Sequence, residues 1–496
     1  MASIFKKRSD GYLKKMLKND KLFNHLMKYG YFPESWVLPP FIEIKLKKNG
    51  AGDVKDRKQI TLFAPKSNLK WREFSFLHPN NYQKICDVIR KNDFINVISE
   101  ISKGKKIWSY SLPQKFNNIG ERSGSQIMQW LDLQEDIALV SYNYPFILIV
   151  DVSNCYHSMY THAIEWACES VGYKKLGSEI DCSLRRGMNN RTHGLPVGPR
   201  ISDYIAEIVL CAVDREIEKK SITMKEFCGG RFKDNYYLLC KSKNQAENLL
   251  KIISKCLRKY HQSINSDKTK MIETHSYLDN FWQINYDVLI RQFNFDKDNI
   301  HKIELKKLIL FISIVSRTSE SLNNDRAVIE KAIALLDQLR PIKTKASYSQ
   351  YFSHICRLYK DRTPAMPRIL ALLCKLANED GRCFTIFKNF LLKRFWVAYN
   401  ADDEFEVLWI SYFLSQIKHE NKKIAEKLLG NENILYQLMG EYYKNAITGK
   451  INNDDLAIKL WPNEKNNSMA TIHFSVIQSQ ADFSKIVSVK FPSFIS

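Results

Sequence analysis

The sequence lacks the cysteine spacing that a disulfide framework or a zinc site requires. Its 11 cysteines are an odd number, they are scattered between Cys86 and Cys383, and no two of them form a C-x-x-C pair. We therefore expect most of them to be reduced, buried thiols. Cys155 lies close to a candidate metal ligand, but nothing around it indicates a nucleophile.

Long hydrophobic runs are also missing. No stretch reaches the roughly 18 apolar residues that cross a bilayer. The first segment, MASIFKKRSDGYLKKMLKND, is basic but has neither the apolar core nor the cleavage site of a secretory signal. These absences predict a soluble cytoplasmic protein. The chain is not disordered, because 45% of its 496 residues are apolar and 12% are aromatic, enough for two or three domains.

Acidic residues are in short supply. Against 53 Asp and Glu the chain carries 75 Lys and Arg, a formal net charge of +22, and residues 1–120 hold 24 basic against 10 acidic residues, a net +14. This excess predicts a polyanionic partner at the N-terminal region. A generally basic, solvated surface is the alternative, whereas membrane binding is disfavoured because the lysine-rich segments lack a sustained apolar face.

Two patterns divide the chain. Up to about residue 285, helix-like and strand-like segments alternate: a helix over residues 12–28, the strands IEIKL and FILIV, helices after Thr161 and after the loop RTHGLPVGPR, and the hairpin-like GGRFKDNYYLLC. From about residue 300, eight apolar-periodic segments predict paired helices in a solenoid or an irregular bundle. The strand-like HFSVIQ and KIVSVKF near the C-terminus have no partner that the sequence identifies.

Asp151 is the first candidate site residue. The segment ILIVDVSNCYHSMYT, residues 147–161, is apolar up to Asp151 and reaches Tyr156 five residues later. A carboxylate at the end of a buried strand, followed by an aromatic residue, is how nucleotide polymerases present a metal ligand beneath the incoming sugar. A core strand that leaves an α/β sheet through a polar turn has the same pattern, so this segment alone leaves both interpretations open.

Asp234 is the second candidate. Phosphoryl transfer from a nucleoside triphosphate uses two Mg²⁺ ions held by carboxylates from separate strands. Asp234 lies in RFKDNYY, with Gly229 and Gly230 before it and the apolar YYLLC behind it. This pattern predicts a tight hairpin packed beside the strand that ends at Asp151.

Two further segments lie in the same part of the chain. Residues 194–202, GLPVGPRIS, form a loop that leads into a helix with one apolar face: Ile201, Tyr204, Ile205, Ile208, Val209, Ala212 and Val213. Such a loop lets the backbone approach a base or sugar closely, although an ordinary helix start has the same pattern. Lys268, in INSDKTK after the helix-like NQAENLLKIISKCLRKY, either meets leaving phosphate charge or is solvated surface.

The order of these four segments resembles that of the reverse transcriptases. DVSNCY is similar to their first carboxylate motif, GLPVG with Ser202 to their G-x-P-x-G motif, FKDN to their x-x-D-D hairpin, and INSDKTK to the N-x-x-K-T motif that follows. Within that superfamily, DVSNCYHSMYTHAIEWA together with THGLPVG is most similar to the abortive-infection (Abi) polymerases that bacteria and prophages use against phage. The resemblance covers about residues 25–280.

The resemblance implies a fold and an organisation. The fold is an α+β reverse-transcriptase-like palm with fingers, followed by an all-α helical-repeat (HEAT-like) C-terminal domain in place of a thumb. The implied parts are a basic, fingers-like region over residues 1–130, the palm over residues 131–285 and the helical-repeat domain over residues 286–496. A prophage-borne protein of the bacterial cytoplasm, assembled as a homo-oligomer, is also implied.

The resemblance implies an activity as well. Members make DNA from dNTPs without a template, and a hydroxyl of the protein is the primer, so the single-stranded DNA stays covalently attached. Asp151 and Asp234 would bind Mg²⁺ or Mn²⁺, with Asn235 beside them in the catalytic hairpin. Tyr156 would exclude a ribose 2′-hydroxyl, and Arg72, in LKWREFSFLHPNNY, would hold the triphosphate. The full set assigned to substrate is Tyr156, Arg72, Gly198, Ser202 and Lys268.

The priming residue is the least determined of these assignments. Tyr12, Tyr29 and Tyr31 lie in the basic N-terminal region and are the candidates. Each of them is alternatively a loop anchor, because tyrosines beside glycine and proline commonly pack at turns.

Three positions depart from the reverse-transcriptase pattern. Asn235 stands where most reverse transcriptases have a second Asp, so one negative charge is lost while a neutral oxygen ligand remains. Lys233 precedes Asp234, and alternation along a strand predicts that it points to the opposite face. Val197 replaces the glutamine common in templated enzymes, which is compatible with synthesis that reads no template.

Three hypotheses follow. The first is a magnesium-dependent polymerase of the Abi type, acting in phage defence. The second is a templated reverse transcriptase of the retron or intron kind, which would depend on added template. The third is a degenerate palm that lost turnover at Asn235, with a helical array that acts as a binding scaffold or toxin.

Overall fold

The structure is a computed structural model. It describes residues 2–34, 36–39, 42–46, 59–67, 70–117, 119–224, 226–279, 303–321, 325–342, 345–359, 365–448 and 470–474. Within these ranges no helix is both long enough and apolar enough to traverse a bilayer. All 11 cysteines lie in described segments, none forms a disulfide, and all but Cys182 and Cys356 are buried, which confirms the expectation of buried thiols.

The N-terminal helix is divided. The single helix predicted over residues 12–28 is wrong: the structure has α1, Ala2–Lys15, and α2, Asn19–Tyr29. Lys18 is extended and Asn19 has a φ of 47°, so the helical backbone is interrupted between the two helices. Asparagine tolerates this left-handed conformation better than most residues, which explains why the break occurs without glycine or proline.

Nine more helices lie before residue 280 in the described segments. Their bounds are α3 Pro79–Ile89, α4 Asn92–Ile101, α5 Ile119–Val140, α6 Cys155–Ser158, α7 His162–Glu169, α8 Lys174–Gly187, α9 Arg200–Lys220, α10 Lys243–Lys259 and α11 Thr274–Asp279. The predicted helices after Thr161 and after the loop RTHGLPVGPR are therefore confirmed as α7 and α9.

The strands form three sheets in the described residues. Their bounds are β1 Ile42–Leu46, β2 Ile60–Ser67, β3 Lys70–Phe76, β4 Ile107–Ser109, β5 Phe146–Asp151, β6 Cys228–Phe232, β7 Asn235–Cys240, β8 Lys270–Glu273 and β9 Ala470–Phe474. The largest sheet has the order β4-β6-β7-β5-β8, whereas β1 pairs with β9 and β2 with β3. β9 includes the first two residues of HFSVIQ, so β1 is the partner of that part, while the rest of HFSVIQ and KIVSVKF lie outside the described residues.

The five-stranded sheet brings distant segments together. β4 is parallel to β6, and the remaining pairs are antiparallel. β5 is an interior strand, paired on one side with β7 and on the other with β8. Because β5 is apolar and almost wholly buried, its C-terminal end is held on both sides, and the residues there are placed by the sheet rather than by a free loop.

Helix α9 packs close to this sheet. It contacts α4, α7, α10 and β4. The apolar face predicted from the sequence is confirmed, since all seven of its members are buried. Burial also extends beyond that face and includes Ser202, Glu207 and Asp214. The buried carboxylates of Glu207 and Asp214 require partners, which the site described below supplies.

The C-terminal part is helical, as predicted. Each of the eight apolar-periodic segments forms a helix: α12 Leu305–Ser321, α13 Asp325–Leu336, α14 Lys345–Cys356, α15 Met366–Glu379, α16 Gly381–Asn400, α17 Glu404–Gln416, α18 Lys422–Leu429 and α19 Ile434–Thr448. Consecutive helices α15, α16 and α17 pack on one another, as do α18 and α19. A HEAT-like repeat geometry for these helices stays a prediction.

The chain divides into two compact units. The first comprises Met1–Ser35, Leu46–Thr61 and Phe74–Phe281, and the second comprises Trp36–Lys45, Leu62–Glu73 and Trp282–Ser496. The large sheet and α9 belong to the first unit, and helices α12 to α19 belong to the second. The three-part division with borders at residues 130 and 285 stays a prediction.

Candidate active site

The C-terminal end of β5 places Asp151 next to the hairpin formed by β6 and β7. In the antiparallel register Asp151 lies opposite Asn235. One residue further on, the Val152 N–H donates a hydrogen bond to the carbonyl oxygen of Asp234 at 2.9 Å. The two carboxylates that the sequence singled out, from segments more than eighty residues apart, are therefore brought to one edge of the sheet. The Asp151 side chain is 9% exposed.

The hairpin turns through two residues, Lys233 and Asp234. Lys233 has a φ of 55°, a left-handed conformation that two-residue hairpin turns require and that glycine or asparagine adopts most easily. The prediction that strand alternation orients Lys233 is wrong in its premise, because Lys233 lies in the turn. Its backbone N–H donates to the Ser111 hydroxyl, and its ammonium lies 3.4 Å from Oε1 of Gln126.

Arg231 fixes this turn to α9. Its side chain is completely buried; one guanidinium N–H group donates to the Lys233 carbonyl oxygen at 2.9 Å. The same guanidinium forms ion pairs with Glu207 at 2.7 Å and with Asp214 at 2.9 Å, both on α9. A buried arginine with two carboxylates and a carbonyl has its donors matched, so the backbone beside Asp234 is held by a satisfied network.

Asn235 contributes an amide rather than a charge. Its side-chain N–H donates to Oδ1 of Asp234 at 3.1 Å. The amide therefore orients the second carboxylate, which an aspartate at this position would instead repel. Sequence reasoning identified the loss of charge at Asn235 but not this orienting hydrogen bond.

Lys268 lies directly on the first carboxylate. Its ammonium nitrogen is 3.1 Å from Oδ2 of Asp151. The backbone of the same turn is fixed to the end of β5, because the Asn265 N–H donates to the Asp151 carbonyl at 2.8 Å and the Ser153 N–H donates to the Ser263 carbonyl at 2.8 Å. The sequence predicted a contact with phosphate for Lys268, whereas the structure shows its ammonium paired with the Asp151 carboxylate.

The donor set at this edge fits a divalent cation that prefers oxygen. Two carboxylates and one amide are available, and a lysine ammonium already stands at Asp151 in the position of a counter-ion. In the described ranges no group of three or more His, Cys, Asp or Glu residues is arranged to hold a metal. A site with two carboxylates thus requires other oxygen ligands, such as water and phosphate, to complete the coordination of Mg²⁺.

Tyr156 is held by a carboxylate that sequence reasoning missed. Its hydroxyl donates to Oδ1 of Asp203 at 2.8 Å. Asp203 follows Ser202 in the first turn of α9, and an acidic residue there is common because it offsets the helix dipole. That usual role concealed its contact with Tyr156, which lies 47 residues away in the chain.

Asp203 has two arginine partners. Arg200 donates to its Oδ2, and Arg122 lies 3.3 Å from the same oxygen while also pairing with Glu34 at 3.0 Å. Burial alone would raise the pKa of the Asp203 carboxyl, but these guanidinium groups outweigh it and hold that pKa well below its usual range. The acceptor for the Tyr156 hydroxyl is therefore charged throughout the neutral range.

The loop of residues 194–202 packs against its own protein neighbours. Gly198 has a φ of 119°, and a Cβ there would approach the Phe32 ring within 2.4 Å. The Val197 carbonyl accepts the Ser75 N–H at 2.8 Å, and the Leu195 N–H donates to the Tyr156 carbonyl at 2.7 Å. The structure shows a close approach of this backbone to Phe32, whereas the approach to a base or sugar stays a prediction.

Ser202 is fully buried, and its hydroxyl has no hydrogen-bond partner in the described part of the chain. A contact of Ser202 or Gly198 with nucleotide stays a prediction. Arg72 is exposed on β3 and falls in the second compact unit, whereas the other assigned residues fall in the first. Its role with the triphosphate also stays a prediction.

The three priming candidates differ in accessibility. Tyr12 and Tyr31 are both buried, and their hydroxyls donate to the Asp132 carboxylate and the Leu77 carbonyl respectively. Burial is the largest cause that raises the pKa of each phenol, which disfavours the phenolate. Tyr29 is half-buried, with the Lys28 ammonium 4.9 Å from its ring centroid. Of the three, Tyr29 needs the smallest rearrangement to act as a nucleophile.

Cys155 is buried beside these residues. Burial raises the pKa of its thiol well above the ordinary value, with the Asp234 carboxylate adding to the shift. A thiol in this state is not activated, which agrees with the interpretation of Cys155 as a core residue.

Comparison with known proteins agrees with this geometry. Residues 64–295 match the model of the family described as "Reverse transcriptase (RNA-dependent DNA polymerase)". The matched range contains both carboxylates, the hairpin, the loop before α9 and Lys268. A comparison with curated proteins finds no match.

Three solved telomerase structures are similar to the chain at 12% identity. They are apo telomerase from Candida tropicalis truncated from its C-terminal domain (TM-score 0.31, covering 46% of this chain and 52% of that one), C. tropicalis telomerase in complex with a TWJ fragment of telomeric RNA (0.33, 81% and 65%), and C. albicans telomerase in complex with a TWJ fragment of telomeric RNA (0.29, 79% and 68%). The chain thus spans only about half of the first of these proteins. Similarities at these TM-scores carry no argument about function.

The family match and the strand-end geometry agree on one class of enzyme. Residues 64–295 are similar to a reverse-transcriptase-like polymerase domain.

Proposed function

We propose that this reverse-transcriptase-like enzyme is a template-independent DNA polymerase that starts synthesis on a hydroxyl of its own chain and keeps the single-stranded product covalently attached. The observation that carries the polymerase part is the placement of Asp151 and Asp234 at one sheet edge, with Tyr156 five residues beyond the first carboxylate. The protein-primed, template-free and defensive parts rest on the resemblance of DVSNCYHSMYTHAIEWA and THGLPVG to the Abi polymerases.

The reaction is a nucleotidyl transfer. The hydroxyl oxygen of the primer forms a bond to the α-phosphorus of a dNTP, the bond from that phosphorus to the β-phosphate oxygen breaks, and pyrophosphate leaves as the hydroxyl proton is lost. When bound by Asp151 and Asp234, Mg²⁺ would lower the pKa of the attacking hydroxyl and neutralise phosphate charge. Mn²⁺ prefers similar ligands and is the alternative ion.

The residues of the chain have separate tasks in this reaction. Asp151 and Asp234 hold the cation, and the Asn235 amide orients Asp234. A divalent ion held by Asp151 would compete with the Lys268 ammonium for that carboxylate, and Lys268 would then be available to bind the negative charge of the departing pyrophosphate. Such a change of partner would reconcile the contact of Lys268 in the structure with the role expected from the sequence.

Tyr156 supports the choice of deoxyribose. The proposal rests on an aromatic residue five positions beyond Asp151, the spacing expected of a ring beneath the incoming sugar. Because its hydroxyl is tied to the charged Asp203, the ring resists displacement by a ribose 2′-hydroxyl. This arrangement supports the assignment of Tyr156 as the group that excludes ribonucleotides.

Template independence is supported by the environment of Val197. Its side chain offers no hydrogen bond to a template base, and its carbonyl is already engaged by Ser75. Tyr29 is the favoured primer among the three candidates, because Tyr12 and Tyr31 are buried and hydrogen-bonded. We further propose that the protein is a prophage-borne homo-oligomer of the bacterial cytoplasm that acts in anti-phage defence by abortive infection, with a HEAT-like C-terminal domain.

The test is a reaction without nucleic acid. Purified protein is incubated with labelled dNTPs and Mg²⁺, without template or primer, and the products are separated under denaturing conditions. We expect DNA that migrates with the protein in SDS and is released by protease, and we expect no product from Asp151→Asn. Tyr29→Phe should reduce the labelled protein if Tyr29 is the primer.

Other outcomes select the alternatives. Synthesis only when a template and a primer strand are added would indicate a templated reverse transcriptase of the retron or intron kind. No product under any condition, together with full phage protection by an Asp151→Asn, Asp234→Asn double variant, would indicate a catalytically silent scaffold or toxin.

A further inference from the structure

A cluster of five aromatic and imidazole rings lies on the surface of the first unit. Its members are Tyr160, His162, Trp166, His193 and His261, and we call it the ring cluster. Tyr160 is central: the ring centroids of the other four lie 4.9, 5.6, 5.0 and 4.7 Å from its own, in that order. Trp166 also contacts His261 at 5.8 Å. The polymerase reaction described above leaves these residues without a role.

The ring cluster is exposed rather than part of the core. Trp166 is 37% exposed, in contrast to the buried Trp108 and Trp409. His193 and His261 are exposed as well. Rings that served only to fill the interior would be covered. A group of tilted and edge-on rings that is partly open to solvent instead offers ring faces on which a planar ligand can stack.

The backbone beneath the ring cluster is rigid. Tyr160 and His193 form an antiparallel bridge, the Thr161 N–H donates to the Thr192 carbonyl at 2.8 Å, and the Gly194 N–H donates to the Met159 carbonyl at 2.9 Å. Nδ1 of His162 lies 2.9 Å from the buried Asp181 carboxylate. Rings held in place before binding lose little conformational entropy when a ligand stacks on them.

The ring cluster adjoins the candidate active site. Tyr160 lies four residues beyond Tyr156, and the loop that carries His193 continues into Leu195, which bonds the Tyr156 carbonyl. Next to His261, Oε1 of Gln262 accepts a hydrogen bond from the Ser158 hydroxyl, at the end of α6. A strand that left the edge occupied by Asp151 and Asp234 would therefore meet these rings within a short distance.

The charge around the ring cluster suits a phosphate backbone. Arg191, two residues before His193, and Arg258, three residues before His261, are both exposed. The nearby carboxylates already have cationic partners: Asp181 pairs with Arg185 at 3.1 Å, and Glu169 pairs with Lys174 at 2.9 Å. Stacking rings flanked by exposed arginines are the usual composition of a surface that binds single strands without reading their sequence.

We propose that the ring cluster binds single-stranded nucleic acid, whose bases stack on Tyr160, Trp166 and the adjacent imidazoles while Arg191 and Arg258 meet its phosphates. That the bound strand is the enzyme's own product rests on the proposed function; the binding of a single strand does not. A surface of this kind next to the metal edge would retain a growing strand between additions without selecting its sequence.

The test measures binding without catalysis. Every chain carries Asp151→Asn, so that no product accumulates, and a labelled oligothymidylate is titrated by fluorescence anisotropy without dNTPs or metal. A strand of the same length made of abasic deoxyribose phosphates is the second probe. We expect the background chain to bind the oligothymidylate more tightly than the abasic strand.

The variants assign that preference to the ring cluster. Trp166→Ala should raise the Kd for the oligothymidylate on the order of tenfold, the loss usual for one stacked base, and leave the Kd for the abasic strand unchanged. Trp166→Phe, which keeps a ring, should bind nearly as the background chain does. Tyr142→Ala is the matched control, because Tyr142 is 77% exposed near the opposite end of β5.

Two results would overturn the proposal: equal affinity of the background chain for both probes, or an unchanged Kd for the oligothymidylate after Trp166→Ala. If Trp166→Ala lowers the melting temperature too far for a titration, His261→Asn replaces it, since His261 is exposed and asparagine tolerates its left-handed backbone conformation (φ 57°). A chain that makes no DNA at all would still give a clear answer here, so failure of the proposed function and failure of the ring cluster are distinguishable.

Discussion

Two acidic centres of the first unit differ in how their charge is matched. At the sheet edge, Asp151 and Asp234 have Lys268 and Asn235 as neighbours, and the Lys268 side chain is 50% exposed. Beneath them, the acidic residues of α9 face buried arginines: Glu207 and Asp214 pair with Arg231, and Asp203 pairs with Arg122 and Arg200. The carboxylates of the second centre are neutralised by buried arginines. In the first centre, Asp151 is paired with the half-exposed Lys268, which a cation from solution can replace.

The difference separates a chemical task from a positional one. Carboxylates whose cationic partner is exposed keep lone pairs for a metal, because such a pair contributes little to stability and exchanges readily. Carboxylates with buried guanidinium partners cannot exchange them without leaving a charge unpaired in the interior, so they hold backbone and side chains in place. The five changes below act on one centre or the other.

Asp151→Asn and Asp234→Asn should have the largest effect, and only on activity. Either change removes a cation ligand, so we expect nucleotide incorporation to fall by about a hundredfold or more. The free energy of unfolding without metal should change less than in a variant of the buried arginine network, because Lys268, the partner of Asp151, is half-exposed and Asp234 accepts from a neutral amide. Incorporation assays and urea denaturation measure the two quantities; a large loss of stability would place these residues in the positional class.

Arg231→Met should have the opposite profile. It leaves Glu207 and Asp214 as buried, unpaired carboxylates and deprives the Lys233 carbonyl of its donor, so we expect a loss of about 3–5 kcal/mol in the free energy of unfolding. The control is the triple variant Arg231→Met, Glu207→Gln, Asp214→Asn, which should recover part of the loss because the buried charges are gone. Equal denaturation midpoints for the parent and Arg231→Met would contradict the role of this network.

Tyr156 tests the link between the two centres. Tyr156→Ala removes the ring and should relax the preference for dNTP over rNTP by about tenfold or more, the range for losing one packing contact in a pocket. Tyr156→Phe keeps the ring but loses the bond to Asp203, and should relax the preference less. The ratio of kcat/KM for the two sugars is the measurement. If Tyr156→Ala leaves that ratio unchanged, Tyr156 does not exclude ribose.

Lys268→Ala should separate metal binding from turnover. Removal of the ammonium from Asp151 frees a ligand, so the Mg²⁺ concentration for half-maximal activity should fall, by up to about fivefold for an exposed pair. The maximal rate should fall as well, because the departing pyrophosphate loses a cation. Lys270→Ala, which removes an exposed lysine two residues away, is the control. A higher Mg²⁺ requirement for Lys268→Ala would contradict competition at Asp151.

Asp203→Asn removes the shared partner of Arg122 and Arg200, and its effect on stability should change with pH. The pKa of the Asp203 carboxyl is lower in the folded chain than in the unfolded one, so its ionised form stabilises the fold. This contribution is fully present above the unfolded pKa, near 3.9, and is lost as the pH falls through the folded pKa. The difference in unfolding free energy between the parent and Asp203→Asn should therefore be constant near neutral pH and shrink in acid.

Local patterns predicted much of the fold. The apolar period of α9, the hairpin of β6 and β7 and the eight C-terminal helices follow from residues close together in the chain, where side-chain spacing determines which face is buried. The break between α1 and α2 did not follow, because Asn19 adopts a left-handed conformation that no adjacent glycine or proline indicates.

The sequence indicated the candidate metal ligands but not the contacts that hold the site in place. Asp151 stands out because it ends a run of apolar residues, and Asp234 because it lies between a pair of glycines and the apolar YYLLC. The contacts of Tyr156 with Asp203, of Arg231 with α9 and of Lys268 with Asp151 join segments 47, 17 to 24, and 117 residues apart, and a single sequence carries no signal that pairs them. The prediction for Lys233 was wrong for a related reason, since Lys233 lies in the turn, where strand alternation does not apply.

Helix α9 supports both the Tyr156 ring, proposed to exclude ribose, and the turn that bears Asp234, the proposed metal ligand. Its first turn supplies Asp203 to Tyr156, and its next turns supply Glu207 and Asp214 to Arg231. A thermal displacement of this helix would move the two parts together, so the distance between them stays constant while the enzyme fluctuates. An evolutionary change of substrate would therefore begin more easily in Tyr156 itself than in α9, where each replacement disturbs two functions at once.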